Sequence, residues 1–110
     1  MKIALPITRA NQIDDNFGHC EFFNIITVTE NGTLINSQSI MPAQIYGSKA
    51  NIAKEFASQG VAVVLAGGIG DEFTNILTKA GIAVVRGCSG NATELVKQYA
   101  VGKLVDRGAS

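Results

Sequence analysis

The sequence has little charge and few residues of the kinds that ligate metals. Its 110 residues include no tryptophan, one histidine and two cysteines, and charged residues make up only 16%. Nine basic residues balance nine acidic ones, so the formal net charge is zero. Without an excess of positive charge, the chain has no electrostatic footprint for a nucleic-acid backbone or an anionic membrane surface. We therefore expect no nucleic-acid partner and no membrane partner.

The cysteines lack the spacing of a disulfide framework or a zinc site. Cys20 and Cys88 lie far apart, and neither belongs to a Cys-x-x-Cys pair. The apolar run at residues 1–7 is too short for a signal peptide and carries no cleavage site. We expect a cytoplasmic protein with reduced thiols.

Hydrophobic residues make up 46% of the chain, enough to bury a core, and the length fits a single domain over residues 1–110. The first half has the pattern of strands, and the second half alternates helical spacing with apolar strands. The predicted strands are residues 2–7, 21–29, 33–40, 61–66 and 82–85. The predicted helices lie between Gly47 and Gly60, between Asp71 as N-cap and Gly81, and after a capping box of Asn91 and Glu94.

This order of elements predicts an α/β fold with one five-stranded mixed sheet and three helices. An Asn31-Gly32 turn makes the second and third strands a hairpin, and right-handed crossovers make the first, fourth and fifth strands parallel. The predicted strand order is 3-2-1-4-5. Four connections then emerge at one edge, where open α/β sheets bind ligands. They are residues 8–20, 41–46, 66–70 and 87–90.

Two glycine-bearing turns each precede a predicted helix at this edge. They are Gly67-Gly68-Ile69-Gly70 and Gly87-Cys88-Ser89-Gly90. Backbone N–H groups at such places hold anions or bulky inorganic groups, although glycines after strands also make ordinary tight turns. Neither turn completes a nucleotide-binding motif. We expect Gly68 and Gly70 to have a positive φ or to permit close approach of the following helix.

The one histidine and one of the cysteines are adjacent before the second strand. His19 and Cys20 offer an imidazole and a thiol to a metal ion or cluster, or else are a surface histidine and a small packed side chain. Cys88 is a weaker candidate, and Met41 is weaker still. Strands two and five are about 14 Å apart, so a larger cluster bridges Cys20 and Cys88 more readily than a disulfide or a single ion does. We expect residues 11–20 to be mobile until a cluster binds.

Enzymatic functions have less support in the residues. A nucleophilic pair needs a thiol and an imidazole in contact, and His19 with Cys88 would have to span the same long distance. The strand order also resembles nucleases of the ribonuclease H type, but the first strand has no carboxylate for metal-dependent cleavage. A binding or carrier protein, an interaction or regulatory module without a cluster, and a small enzyme built on Cys88 are the alternatives.

Several segments together resemble the dinitrogenase iron-molybdenum cofactor biosynthesis family, which includes NifX and the C-terminal domain of NifB. They are residues 1–6, Asn16-Phe17-Gly18, residues 64–70, Gly81-Ile82 and Gly87-Cys88-Ser89-Gly90. The resemblance covers nearly the whole chain and implies a ribonuclease H-like fold.

The same resemblance implies a non-catalytic protein that binds or carries an iron-sulfur or iron-molybdenum cofactor precursor, with cofactor-assembly or acceptor proteins as partners. Asn16 stands where the family commonly has histidine, so His19 and Cys20 are the candidate metal ligands instead, with Cys88 as a weaker one. The candidate cofactor-binding residues are Phe17, Gly18, His19, Cys20, Gly67, Gly68, Gly70, Gly87, Cys88 and Gly90.

Overall fold

A computed structural model describes residues 1–15, 17, 20, 22–41 and 49–104. Within these residues the chain forms five strands and three helices in the predicted order. They are β1 (Lys2–Ile7), β2 (Phe22–Val28), β3 (Leu34–Ile40), α1 (Lys49–Ser58), β4 (Val61–Leu65), α2 (Asp71–Lys79), β5 (Ala83–Val85) and α3 (Ala92–Ala100).

The strands form one mixed sheet in the order β3-β2-β1-β4-β5, which confirms the predicted topology. β2 pairs antiparallel with both β1 and β3, whereas β4 pairs parallel with β1 and β5. The β2–β3 turn contains Gly32 at φ +87°, and its N–H donates a 3.1 Å hydrogen bond to the Thr29 carbonyl oxygen. The Asn31-Gly32 turn thus makes the predicted hairpin.

Each face of the sheet buries its own apolar cluster, because successive side chains of a strand point to opposite faces. One cluster, the α1/α2 core, includes Ala4, Phe23, Ile25, Phe56, Val64 and Leu77. The other, the α3 core, includes Ile3, Leu5, Ile26, Val63, Leu95 and Val96. The sheet therefore separates any residue of the α1/α2 core from any residue of the α3 core.

The helix ends follow their sequence signals with one exception. Gly60 and Gly81 have φ near +80° just beyond α1 and α2, as the predicted glycine stops require. Asn91 caps α3 by accepting a 3.1 Å hydrogen bond from the backbone N–H three residues later. The prediction of Asp71 as an N-cap is wrong: Gly70 holds the extended cap conformation, and Asp71 begins α2, where its charge favours the helix dipole. None of the helices in the described ranges is long and apolar enough to cross a membrane.

Candidate functional site

The segment between β1 and β2 crosses the end of the sheet and inserts a side chain into each core. This segment, here called the β1–β2 loop, is described at residues 8–15, 17 and 20. Ile13 is buried in the α3 core, and Phe17 is buried in the α1/α2 core. Since the two cores lie on opposite faces, the β1–β2 loop must pass over the edge of the sheet between them.

Where it crosses, the β1–β2 loop is bonded to the turn that follows β4. The Gly68 N–H donates to the Asp15 carbonyl oxygen, and the Phe17 N–H donates to the Gly68 carbonyl oxygen, both at 3.1 Å. A Cβ on Gly68 would overlap the Asp15 carbonyl oxygen, and one on Gly67 would lie 2.9 Å from the Cys88 carbonyl oxygen. The turn therefore carries glycine at both places because another backbone lies against it.

These contacts test the two expectations for the first glycine turn, at Gly68 and at Gly70. Gly68 does permit a close approach, as predicted, but the approaching backbone is the β1–β2 loop and not the following helix. The expectation for Gly70 is wrong. Its φ is −72°, which any residue adopts, and a Cβ there would meet nothing within 4 Å.

The second glycine turn, between β5 and α3, meets the same edge. Gly87 donates through its N–H to the Gly67 carbonyl oxygen at 3.1 Å, and the Ile13 N–H donates to the Gly90 carbonyl oxygen at 2.9 Å. Gly87 and Gly90 have φ values of +77° and +97°, in the region that favours glycine. These contacts confirm the prediction that the β1–β2 loop and both glycine turns emerge at one edge of the sheet. The remaining connection predicted at this edge is residues 41–46, of which residues 42–46 lie outside the described residues.

Phe17 anchors the β1–β2 loop in an aromatic cluster. Its ring centroid lies 5.0 Å from that of Phe23 and 4.9 Å from that of Phe73, in tilted and edge-on arrangements. The side chain is 1% exposed. The buried ring of Phe17 therefore fastens the β1–β2 loop to the α1/α2 core.

Cys20 is buried in the same α1/α2 core. Desolvation by burial, together with the negative charge of Asp14, raises the pKa of the Cys20 thiol to about 12. The side chain is therefore a neutral thiol at physiological pH in this conformation. Gly18 and His19 lie outside the described residues, so the role of His19 as a ligand stays a prediction.

Cys88 is buried in the α3 core, on the opposite face of the sheet from Cys20. Its Sγ donates a 3.6 Å hydrogen bond to the Val85 carbonyl oxygen. The two thiols are buried in different cores, so this arrangement does not favour the bridging hypothesis. In the described part of the chain, no three side chains of His, Cys, Asp or Glu are grouped to hold a metal ion.

Two features of the site carry no signal in the sequence. Asp14 influences Cys20 from six positions away, and only the fold of the β1–β2 loop brings its charge near the sulfur. Asn11 has φ +59°, and it ties the loop to α3: its carbonyl oxygen accepts from the Ala92 N–H at 2.9 Å, and its Nδ2 donates to Thr93 Oγ1 at 3.1 Å. Asparagine tolerates this left-handed conformation better than most residues.

Three solved structures share the fold. The crystal structure of PH0822 has a TM-score of 0.81 and 21% identity over 98% of both chains. The apo form of the orange protein from Desulfovibrio gigas has a TM-score of 0.77 and 20% identity, over 97% of this chain and 92% of that one. The NMR structure of a Thermotoga protein assigned to NifB and to the DUF35 family has a TM-score of 0.71 and 24% identity, over 96% and 91%.

At sequence identities of 20–24%, similarity to these structures shows the fold alone. The family of the chain is therefore assigned from its sequence. Comparison with curated proteins finds no match. The family described as Dinitrogenase iron-molybdenum cofactor matches residues 1–102, nearly the whole chain. The chain therefore belongs to the dinitrogenase iron-molybdenum cofactor family.

Proposed function

We propose that this protein is a small non-catalytic carrier of an iron-sulfur or iron-molybdenum cofactor precursor. The family match over residues 1–102 supports a role in handling such a cofactor. The observation that carries the proposal is the hydrogen-bonded contact of the β1–β2 loop with the Gly67-Gly68 turn, together with the burial of Cys20 at the end of that loop. Of the loop residues that the structure describes, those after Ile13 belong to no strand pair and to no isolated bridge, so this part of the loop can open while the bridges of Gln12 and Ile13 stay intact.

The described residues of the β1–β2 loop are hydrogen-bonded and buried without a cluster. The proposal therefore replaces the expectation of a loop that is mobile until a cluster binds by a loop that covers the site and opens to admit the cargo. The buried Cys20 thiol cannot ligate while it keeps its proton, because thiolates and not thiols bind iron. Lifting the loop would hydrate the sulfur, lower its pKa and present it together with His19. The carboxylate of Asp14, whose charge already acts on Cys20, would add an oxygen donor. The glycine turns at Gly67-Gly68-Gly70 and Gly87-Gly90 would shape the remainder of the site.

The carrier would receive its cargo from, or pass it to, cofactor-assembly or acceptor proteins. Cys20 and Cys88 form no disulfide, in keeping with a reducing compartment, and we propose that the protein acts in the cytoplasm. The small-enzyme alternative built on Cys88 loses support, because this thiol is buried and bonded to a backbone carbonyl.

Anaerobic reconstitution tests the proposal. The purified protein is incubated with ferrous iron and sulfide and desalted, and its bound iron, sulfide and visible absorption are measured. Wild type should bind iron, Cys20→Ser should lose most of it, and His19→Ala should lose a smaller part. Cys88→Ser is the matched control and should keep wild-type iron, because its sulfur lies in the other core. Equal iron in wild type and Cys20→Ser would contradict the proposed site.

The second candidate is an interaction or regulatory module that keeps the fold without a cluster. What favours it is the burial of both thiols in separate cores, with no three-ligand group among the residues that the structure describes. A wild-type protein that stays colourless and iron-free after reconstitution would replace the carrier by this module.

A further inference from the structure

The sheet has an open edge along β3. On one side β3 pairs with β2, and no other strand or isolated bridge among the described residues pairs with its outer side. Residues 35–39 are exposed, and within the described part of the chain the hydrogen bonds of β3 all go to β2. The other edge strand, β5, has only three residues. The long open edge of this sheet is therefore β3.

The pairing of β2 determines which backbone groups of β3 face outward. Met1 and Val28 exchange backbone hydrogen bonds of 2.9 and 3.1 Å, so the N–H and C=O groups of Val28 point away from β3. Because these directions alternate along a strand, every second residue before Val28 also bonds to β1, and these include the residues opposite Ser37 and Ser39. The backbone N–H and C=O groups of Ser37 and Ser39 therefore point outward from the sheet.

The residues of β3 do not protect this edge. Charged side chains and prolines keep the open edges of natural sheets from pairing with other chains. The segment Leu34–Ile40 contains neither a charged residue nor a proline. Its pairing with β2 shifts register only opposite Thr27 and Val28, at the hairpin end, so residues 36–40 form a regular run. Another extended strand can therefore pair with this run without displacing any part of β3.

The regular run is complementary to a second copy of itself. A two-fold axis through Gln38, perpendicular to the sheet, would pair two copies antiparallel and place each Ser37 opposite Ser39 of the other copy. The outward backbone groups of both serines would then be hydrogen-bonded. The two Gln38 side chains would face each other, and an amide both donates and accepts. Since β3 carries no charge, no like charges within the two strands oppose each other. We propose that β3 binds a second copy of this chain and joins two sheets edge to edge.

Apolar surface beside the same edge adds to the interface. The Ile35 side chain is 65% exposed, and it lines a cleft together with Met1 and Ala100. A second strand along β3 would cover part of Ile35. Stable interfaces bury about 1,600 Å² in total, more than a single strand edge offers, so we expect a reversible dimer with a dissociation constant on the order of 0.1 mM. The interface uses neither Cys20 nor the glycine turns, so it is independent of the proposed carrier function.

Sedimentation velocity of the iron-free full chain tests the interface. Between about 10 µM and about 1 mM, wild type should change reversibly from monomer to dimer. Gln38→Lys and Gln38→Glu should each weaken the dimer about tenfold, because the axis would bring two like charges together. An equimolar mixture of these two variants should dimerise at least as strongly as wild type, since opposite charges then meet. Only an interface in which Gln38 faces its own copy predicts this recovery.

A matched control separates the interface from general charge effects. Asn75→Lys places the same charge at an exposed amide of α2, which packs against β5 at the other edge, and it should dimerise as wild type does. Circular dichroism checks that all variants are folded. The proposal fails if wild type stays monomeric at about 1 mM, or if Gln38→Lys and Asn75→Lys dimerise equally well. It also fails if mixing the two Gln38 variants does not restore the dimer.

Discussion

Replacing Gly68 by alanine should open the β1–β2 loop, and the same change at Gly70 should not. A Cβ at position 68 would overlap the Asp15 carbonyl oxygen, which is backbone and has no rotamer to move. The β1–β2 loop would have to lift, breaking the two 3.1 Å hydrogen bonds that join it to Gly68. At position 70 the added methyl group would meet nothing within 4 Å, and φ is −72°.

The expected loss of stability in Gly68→Ala is the sum of the interactions that the lifted loop no longer makes. Two backbone hydrogen bonds contribute about 1 kcal/mol each, and partial withdrawal of the Phe17 ring from the α1/α2 core adds about 1–2 kcal/mol. Alanine lowers the conformational entropy of the unfolded chain, and this stabilises both variants by about 0.5 kcal/mol. We expect Gly68→Ala to lower the free energy of unfolding by about 2.5–3.5 kcal/mol, and Gly70→Ala to change it by less than about 1 kcal/mol.

Urea-induced unfolding of both variants, followed by circular dichroism, measures these free energies. Tryptic cleavage after Arg9 gives a second readout, because a protease must bind an extended backbone and lifting the loop should free the backbone around this exposed residue in Gly68→Ala sooner than in Gly70→Ala. The reasoning is refuted if Gly68→Ala and Gly70→Ala have the same free energy of unfolding.

Three further predictions concern the same structure. Phe17→Ala should lower the free energy of unfolding by about 3–5 kcal/mol in urea titrations, because its ring fills the α1/α2 core beside Phe23 and Phe73; a loss below about 1 kcal/mol would contradict that packing. Asn91→Ala should cost about 1 kcal/mol in the same assay, since it removes the side-chain cap of α3, and an unchanged midpoint would argue against the cap. Burial raises the pKa of Cys20 to about 12, above its value in the unfolded chain, so its contribution to stability is complete below about pH 8.5 and is lost as the pH rises to about 12. Wild type should therefore lose about 2–4 kcal/mol more than Cys20→Ala across this alkaline range, allowing for solvent screening, and parallel pH curves would exclude the effect.

Local patterns in the sequence were enough to predict the order of elements and the sheet. Asn31-Gly32 marks a tight hairpin, and the glycines after α1 and α2 mark helix ends, because positive φ values are costly for other residues. Right-handed crossovers then leave few ways to connect the remaining strands. The meeting of the β1–β2 loop with the two glycine turns follows from that topology, because the ends of neighbouring parallel strands share an edge.

The faces on which the loop residues lie were decided by the tertiary structure alone. Inside a strand, alternation assigns each side chain to a face, but a loop has no period from which to read one. The sequence therefore could not show that Ile13 and Phe17 enter opposite cores, or that Cys20 and Cys88 are separated by the sheet.

The same limit applies to the two glycines of the first turn. Gly68 and Gly70 stand in one motif, and they differ only in whether another segment's backbone lies against them. The sequence by itself determined which elements form and in what order they pair, because propensity and chain connectivity are local or topological. The environment of each site residue was left to packing between segments distant in the chain, because those contacts exist only once the whole sheet has formed.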